Sequence, residues 1–517
     1  MLFAKQLLTE KEYNVALQKG VSVFLYNEIN FAPNPQEGIQ MVNCTTERVP
    51  STWYTWEENE RIFSTFEKKH SCFHVIDGFD FSLAIKKAMF WANMRIGYLE
   101  YTRVKYFVDY NIFESSERLF NANMLKTTLK YAKEFLLQKS KKSFDKENRT
   151  KFNWAILIED TFQINLYKHI LYLSLKDITL LLIVINDSVK EELLNMGFQE
   201  NQIKRINQNH NYKLPFPKLN LLKIEKNEWF LLDQLCNHWN EINQWYTISQ
   251  IISNSGVKKF LMNEGENGVK GSVIGEVLNK RGIQTFNTMN GMKSGQAQDA
   301  FQSFQYWFVW GIGMKKMLIE KCALPESMLI NVGHLMEDEI ANYRSQGSFD
   351  SIQHENKKII SLFSVRGKRE EKMEAFRFLY DLAEQKSDLV LLIRKHPSEK
   401  DEDLILPTKD LPNVYWVEYN QENSKNTLYD QLSISTLSIC FGSTVALESK
   451  WFGVPCITFE MREESLVYLT DDKHIFHVKE ILEFESKMSE LLAFNSKRKP
   501  QLNNVASQIV EELRKVE

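Results

Sequence analysis

Cysteine is scarce in this chain. The six that occur, Cys44, Cys72, Cys236, Cys322, Cys440 and Cys456, are scattered, and no two form a C-x-x-C pair. That usage favours a reducing compartment and argues against both a disulfide framework and a structural zinc site. Long hydrophobic runs are missing too. The strongest, residues 178–185, is far too short to span a bilayer. The opening residues, MLFAKQ, lack the apolar stretch of a secretion signal. Neither charge sign is in excess: a net charge of -3 gives no reason to expect general nucleic-acid binding. A metal motif is lacking as well. Only Asp401-Glu402-Asp403 reads as D-x-D, and it falls in a charged loop, so it is read as solvated charge. Gly311-Ile312-Gly313 is too short a glycine pattern for a dinucleotide. The expectation is a cytoplasmic protein without metal or cofactor. Peripheral association with the inner face of a membrane stays open.

What is present is an ordinary globular balance, 43% hydrophobic and 25% charged residues in a chain of 517. That length predicts two or three domains. Residues 358–459 carry the clearest pattern. Five apolar runs, 359–363, 389–393, 414–417, 437–441 and 456–459, alternate with helical segments at 370–384, 428–432 and 445–452. Continuous apolar runs suit strands buried on both faces, so the pattern predicts a parallel sheet with helices on both sides.

Upstream, further strands are expected at 21–26, 73–76, 180–185, 260–262, 285–288 and 306–310, with helices at 119–139, 227–253 and 272–281. Two segments share one local pattern. Residues 183–203 and 308–333 each run strand, capped helix, turn and strand, a generic α/β unit. The boundaries follow Pro215-Phe216-Pro217 and the polar stretch 347–356. They predict an N-terminal α/β region at 1–215, a Rossmann-like unit at 216–345 and a nucleotide-binding Rossmann-like domain at 346–517. The last helices, 478–494 and 505–516, are expected to pack back across both domains.

In such sheets ligands sit beyond the carboxyl ends of the strands. His396-Pro397 closes one strand there, and Gly442-Ser443-Thr444 opens the helix after another. A glycine lets a ligand approach the backbone, and the free N–H groups of the helix start, with the two hydroxyls, form an anion site. His396 can donate to the same phosphate, and Arg366 and Lys368 add positive charge. Glu448, one turn after Thr444, can accept from ribose hydroxyls. The plainer reading is that Ser443 and Thr444 only cap a helix and His396-Pro397 only ends a strand. Taken jointly, the two motifs favour a nucleotide phosphate.

With Arg394-Lys395-His396-Pro397, Gly442-Ser443-Thr444-x-x-x-Glu448 and Trp451-Phe452-Gly453-Val454-Pro455, the chain resembles the C-terminal half of GT-B glycosyltransferases of bacterial surface-polysaccharide synthesis. The nearest groups are the polysialyltransferases, the capsule Kdo transferases and the teichoic acid glycerol-phosphate polymerases. The resemblance covers residues 258–459. It departs at Asn290-Gly291, where many such proteins have Gln-His-Gly, and at Ser443-Thr444, where Ser-Ser is commoner. It implies an α/β, GT-B-like fold of two facing Rossmann-type domains with an N-terminal extension. It also implies metal-independent transfer of a sugar from a nucleotide donor, a CMP-activated acidic sugar first, to a capsular glycan or glycolipid acceptor. The donor nucleotide would lie on Arg366, Lys368, His396, Pro397, Ser443, Thr444 and Glu448. The catalytic groups would be His396 with Glu264 or Glu266, whose plainer reading is an acidic turn capping the helix from Ser272. Asp77 and Asp80 are weaker candidates. A CDP-alditol polyol-phosphate transferase, a UDP-sugar 2-epimerase and a non-catalytic partner of the same fold are the alternatives. His334 and Trp416 are read as non-catalytic, and the aromatic segment 98–113 as core.

Overall fold

The computed structural model describes residues 2–4, 23–25, 84, 127–133, 152–206, 229–265, 268–289, 302–322, 324–350, 357–365, 370–396, 399, 410–417, 424–459, 474–493 and 502–515. Near the start, β1 (Leu2–Ala4) and β2 (Val23–Leu25) pair in parallel. The strand expected at 73–76, with Asp77 and Asp80, and the aromatic segment 98–113 lie outside the described residues.

Seven strands form the first large sheet. They are β3 (Trp154–Ile158), β4 (Leu180–Val184), β5 (Ile203–Arg205), β6 (Lys259–Asn263), β7 (Gln284–Thr288), β8 (Tyr306–Val309) and β9 (Leu329–Asn331). All are parallel, in the order β5-β4-β3-β6-β7-β8-β9. WAILI and LLLIV are apolar throughout because both faces are covered, and every residue of β3 and β4 is buried. Each large side chain so buried contributes about 1.5–3 kcal/mol. Among the described residues, helices from within this domain cover the sheet: α1 (Thr161–Ser174), α2 (Asp187–Asn195), α3 (Trp229–Asn254), α4 (Gly268–Lys280) and α5 (Ile312–Cys322). Asp160 starts α1 by accepting from the Gln163 N–H at 2.9 Å. The two similar segments lie at opposite edges of this one sheet, as β4-α2-β5 and β8-α5-β9.

A break at residue 215 therefore cuts through one sheet, because β3 pairs with β6. Pro215-Phe216-Pro217 lies outside the described residues, after β5 and before α3 in the chain, and both of those elements belong to this one sheet's domain. The Rossmann-like unit takes in residues from 152 onward.

The second sheet has six parallel strands: β10 (Lys358–Phe363), β11 (Leu389–Arg394), β12 (Val414–Val417), β13 (Leu437–Phe441), β14 (Cys456–Phe459) and β15 (Ile475–Val478). Their order is β12-β11-β10-β13-β14-β15. Both sheets thus repeat one doubly wound arrangement, in which the chain starts centrally, builds outward and then switches sides. Two such domains make the fold GT-B-like.

The domains meet through α6 (Met336–Ala341) and the C-terminal helix α11 (Val505–Arg514). Burial raises the carboxyls of both Glu337 and Asp338 above their usual range. Glu337 accepts from the backbone N–H of His334 and of Asn503, each at 2.8 Å. Asp338 accepts from the Ala506 N–H at 2.7 Å, at the start of α11. That helix leaves the second domain and buries Val505, Ala506, Ile509, Val510 and Leu513 in the core of the first. Its predecessor, α10 (Ile481–Ala493), stays on the second sheet through Phe484 and Met488. Only one of the two last helices crosses. Among the described residues no helix is long and apolar enough to cross a membrane.

The connection between the domains is fastened to α8 (Ser424–Ile434) by one carboxylate. Asp430 accepts from the Ser345 hydroxyl at 2.8 Å and from the N–H groups of Gln346 and Ser348 at 2.9 and 3.0 Å. The Tyr343 and Ser348 hydroxyls donate to it as well.

Candidate functional site

In the second sheet the chain switches sides between β10 and β13, which are neighbours. The carboxyl ends of these two strands flank the crevice where such sheets take ligands. Gly442 follows β13 with φ 60°, in the left-handed region that an L side chain resists. Its N–H donates to the Thr458 hydroxyl on the next strand at 3.2 Å. The turn it makes starts α9 (Val445–Trp451). Ser443 is half-buried, and its Oγ accepts from the Val445 N–H at 3.3 Å. Thr444 stands at the N-cap, yet its hydroxyl caps nothing and is exposed. The simple cap reading thus accounts for Ser443 and not for Thr444. Glu448 is half-buried one turn further on. Below, a Ser438–Ser449 hydroxyl bond of 2.8 Å pins α9 to β13.

His396 lies two residues past β11, on the other side of β10, with its side chain exposed. Its N–H donates to the Glu399 carboxylate at 3.1 Å, and its carbonyl accepts from the Glu399 N–H at 2.9 Å. Thus His396, Ser443, Thr444 and Glu448 share one carboxyl edge of one sheet. Arg366, Lys368 and Pro397 lie outside the described residues. Trp416 stacks on Phe376 at 6.2 Å, in keeping with its packing role, and Lys395 sits over its ring.

The first sheet has its own switch point, between β3 and β6. Glu264 follows β6 with φ 62°, a left-handed backbone in a residue other than glycine. Such strain persists only where the surroundings enforce it. Here the Glu264 N–H donates to the Thr288 carbonyl at 3.3 Å, and the Gly265 N–H to the Asn287 side chain at 2.7 Å. A side chain at Gly265 would collide with Phe304, 2.9 Å from where its Cβ would stand. From α4, Lys270 reaches back to Glu264 at 3.5 Å and to Glu159, past the end of β3, at 2.5 Å. Its ammonium lies 5.6 Å from the Trp245 ring. One lysine therefore ties together the two strand ends at this switch point. The helix starts at Gly268, so Ser272 lies inside it and buried, and cannot cap it. Glu266 lies outside the described residues.

Residue order alone does not reveal Glu159 and Lys270 as partners. They are 111 positions apart, and each reads as ordinary surface charge. The available signal was the strand-helix rhythm that puts residue 159 at a strand end beside residue 264. Lys270→Met is expected to cost about 1.5–3 kcal/mol, the worth of hydrogen bonds to charged groups. It leaves the two carboxylates without their shared cation, and urea unfolding measures the loss.

His334 packs edge-on to Trp310 at 4.2 Å and stacks on Trp451 at 5.1 Å. Its Nδ1 accepts from the Met336 N–H at 3.0 Å. It belongs to the domain junction, where the carboxyl ends of β8 and β9 meet α9.

No family model matches the chain. No curated protein matches it either. Among solved structures, it is similar to a UDP-GlcNAc 2-epimerase from Methanocaldococcus jannaschii, with 13% identity, a TM-score of 0.48, and coverage of 70% of this chain and 99% of that one. It is also similar to a UDP-GlcNAc 2-epimerase from Neisseria meningitidis bound to UDP-GlcNAc, at 14% identity and TM-score 0.43, covering 70% and 99%. A glycosyltransferase from Rickettsia africae is similar at 13% identity and TM-score 0.41, covering 71% of this chain and 93% of that one.

Proposed function

We propose that this chain is an enzyme acting on a nucleotide sugar. Its nucleotide phosphate would lie against the Gly442-Ser443-Thr444 turn, with His396 donating from the neighbouring strand end. The observation that carries this is the left-handed Gly442 turn at the β10/β13 switch, which heads a helix and leaves the Thr444 hydroxyl exposed. Glu448 would take the ribose. Glu264, on the facing domain, would serve the sugar.

Two reactions fit these residues, and both begin alike. The bond from the anomeric carbon to the phosphate oxygen breaks, and its electron pair leaves on the nucleotide. His396 and the helix-start N–H groups stabilise that developing charge. In a 2-epimerase, a carboxylate takes the proton from the sugar carbon next to the anomeric one, leaving a double bond between the two carbons; the retained nucleotide then re-forms its bond to the anomeric carbon as a proton is returned to the other face of the neighbouring one. Glu264 and Glu159, joined by Lys270, supply two carboxylates at one place for such work. In a glycosyltransferase, Glu264 takes the proton of an acceptor hydroxyl, which attacks the anomeric carbon. The donor would be a UDP-sugar or the CMP-activated acidic sugar that the family resemblance favours.

Thermal unfolding with UDP, UDP-GlcNAc, CMP and CDP separates the nucleotide classes. A saturating ligand at a hundred times its Kd stabilises by about 2.7 kcal/mol. The expected result is a shift with one base only, lost in His396→Ala. Incubation with UDP-GlcNAc alone then separates the reactions. An epimer formed without acceptor supports epimerisation, and nucleotide release only with added glycan supports transfer. No shift with any nucleotide would sink the phosphate-pocket reading.

A further inference from the structure

Beneath the crevice the structure holds an ion pair that the proposed chemistry does not use. Lys372, in the first turn of α7 (Glu370–Gln385), meets Glu399 at 2.7 Å, and both side chains are fully enclosed, with 0% exposure. Charges of this kind are almost never fully buried unless paired. Even when paired, desolvation offsets most of their attraction, and an apolar pair of similar volume often serves stability as well or better. Stability alone is therefore a weak reason for a carboxylate and an ammonium here.

Their other bonds supply a stronger one. The Glu399 carboxylate accepts on Oε1 from the Ser364 hydroxyl at 2.7 Å and on Oε2 from the His396 N–H at 3.1 Å. Its own N–H returns to the His396 carbonyl at 2.9 Å, so one residue holds the His396 backbone at both its N–H and its carbonyl. Lys372 also donates to the Val365 carbonyl at 3.1 Å. Ser364 and Val365 begin the loop after β10, and His396 lies in the loop after β11. The pair thus joins both loops to the start of α7. An apolar pair could fill this space but could accept neither the His396 N–H nor the Ser364 hydroxyl.

Resting on the nucleotide reading above, we infer that Glu399, held by Lys372, is a positioning residue that fixes His396 at the phosphate crevice. It touches no reacting atom. It sets where the imidazole stands by holding the backbone that carries it.

The test compares wild type, Glu399→Gln, the apolar double variant Lys372→Met/Glu399→Leu, and His396→Ala. Three quantities are read: the melting temperature, the exchange rate of the His396 backbone amide in ligand-free protein, and the Kd for UDP and CMP. The double variant is expected to keep the wild-type melting temperature. Its His396 amide should exchange at least about tenfold faster, the equivalent of one charge-assisted hydrogen bond. Its nucleotide affinity should fall as far as that of His396→Ala. A folded double variant with wild-type exchange and wild-type affinity overturns the inference. If that variant does not fold, Glu399→Gln carries the test through the same amide. Faster exchange in the variants, in a protein whose wild type binds neither nucleotide, upholds the fixing of His396 by Glu399 and overturns the nucleotide reading instead.

Discussion

Gly442→Val is expected to abolish nucleotide binding while the chain still folds. Gly442 has φ 60°, and the left-handed region costs an L residue roughly 1–2 kcal/mol even before branching at Cβ. Valine relieves that strain by turning the peptide out of the left-handed region. The N–H of Gly442 then leaves the Thr458 hydroxyl, to which it donates at 3.2 Å. The turn that aims the start of α9 at the crevice moves with it. Losing two charge-assisted hydrogen bonds to phosphate weakens binding by about 100-fold or more. Stability should drop by only about 1–3 kcal/mol, because the strain is local. Isothermal titration with UDP and CMP, beside a urea melt, reads both. A folded variant that binds as wild type does would remove this turn from the site.

The second large effect lies at the joint between the domains. Asp430→Ala deprives three hydroxyls, of Tyr343, Ser345 and Ser348, and two backbone N–H groups of their acceptor. Water can replace part of this, so the expected loss is about 2–4 kcal/mol rather than a full penalty for each group. The pH dependence provides an independent check. Burial raises the Asp430 carboxyl, but the hydrogen bonds from Ser348, Tyr343 and Ser345 outweigh it and hold the group at about 2, below its ordinary 3.8. A group depressed by folding binds its proton more readily when unfolded. Its stabilising contribution is therefore complete above pH 3.8 and is lost as pH falls through about 2. Acid melts should show wild-type stability dropping across that window. In Asp430→Asn this component should be absent, and an identical acid slope in the two proteins would contradict the account.

How much of this could be read from residue order depended on how local the cause was. The five apolar runs of the second domain became strands β10 to β14 within a residue of the expected ends. Leu180–Val184 did likewise. Strands buried on both faces announce themselves as unbroken apolar runs. Trp154–Ile158 is such a run too, but it comes soon after a basic, polar stretch that reads as an exposed connection, and residue order does not set it apart. Without that central strand, residue order divides the first sheet at 215. Its return pairs residue 154 with residue 259, a contact that local pattern does not encode. The placement of His396 and of Gly442-Ser443-Thr444 at strand ends followed from the same runs. What escaped were the charged partners. Glu159 with Lys270 and Lys372 with Glu399 are surface-type residues by composition, and only the crossover connections make one pair nearly enclosed and the other wholly so.

The crossing of α11 has a consequence for synthesis. The first domain's last strand ends at Asn331, but part of its core is supplied by Val505–Arg514. At roughly 5–20 residues per second, the ribosome needs roughly ten to forty seconds to make the intervening chain. During that interval the surface that later takes Ile509 and Leu513 is uncovered, on a domain otherwise complete. The arrival of the last helix covers that surface and, through Asp338 and the Ala506 N–H, joins the two domains.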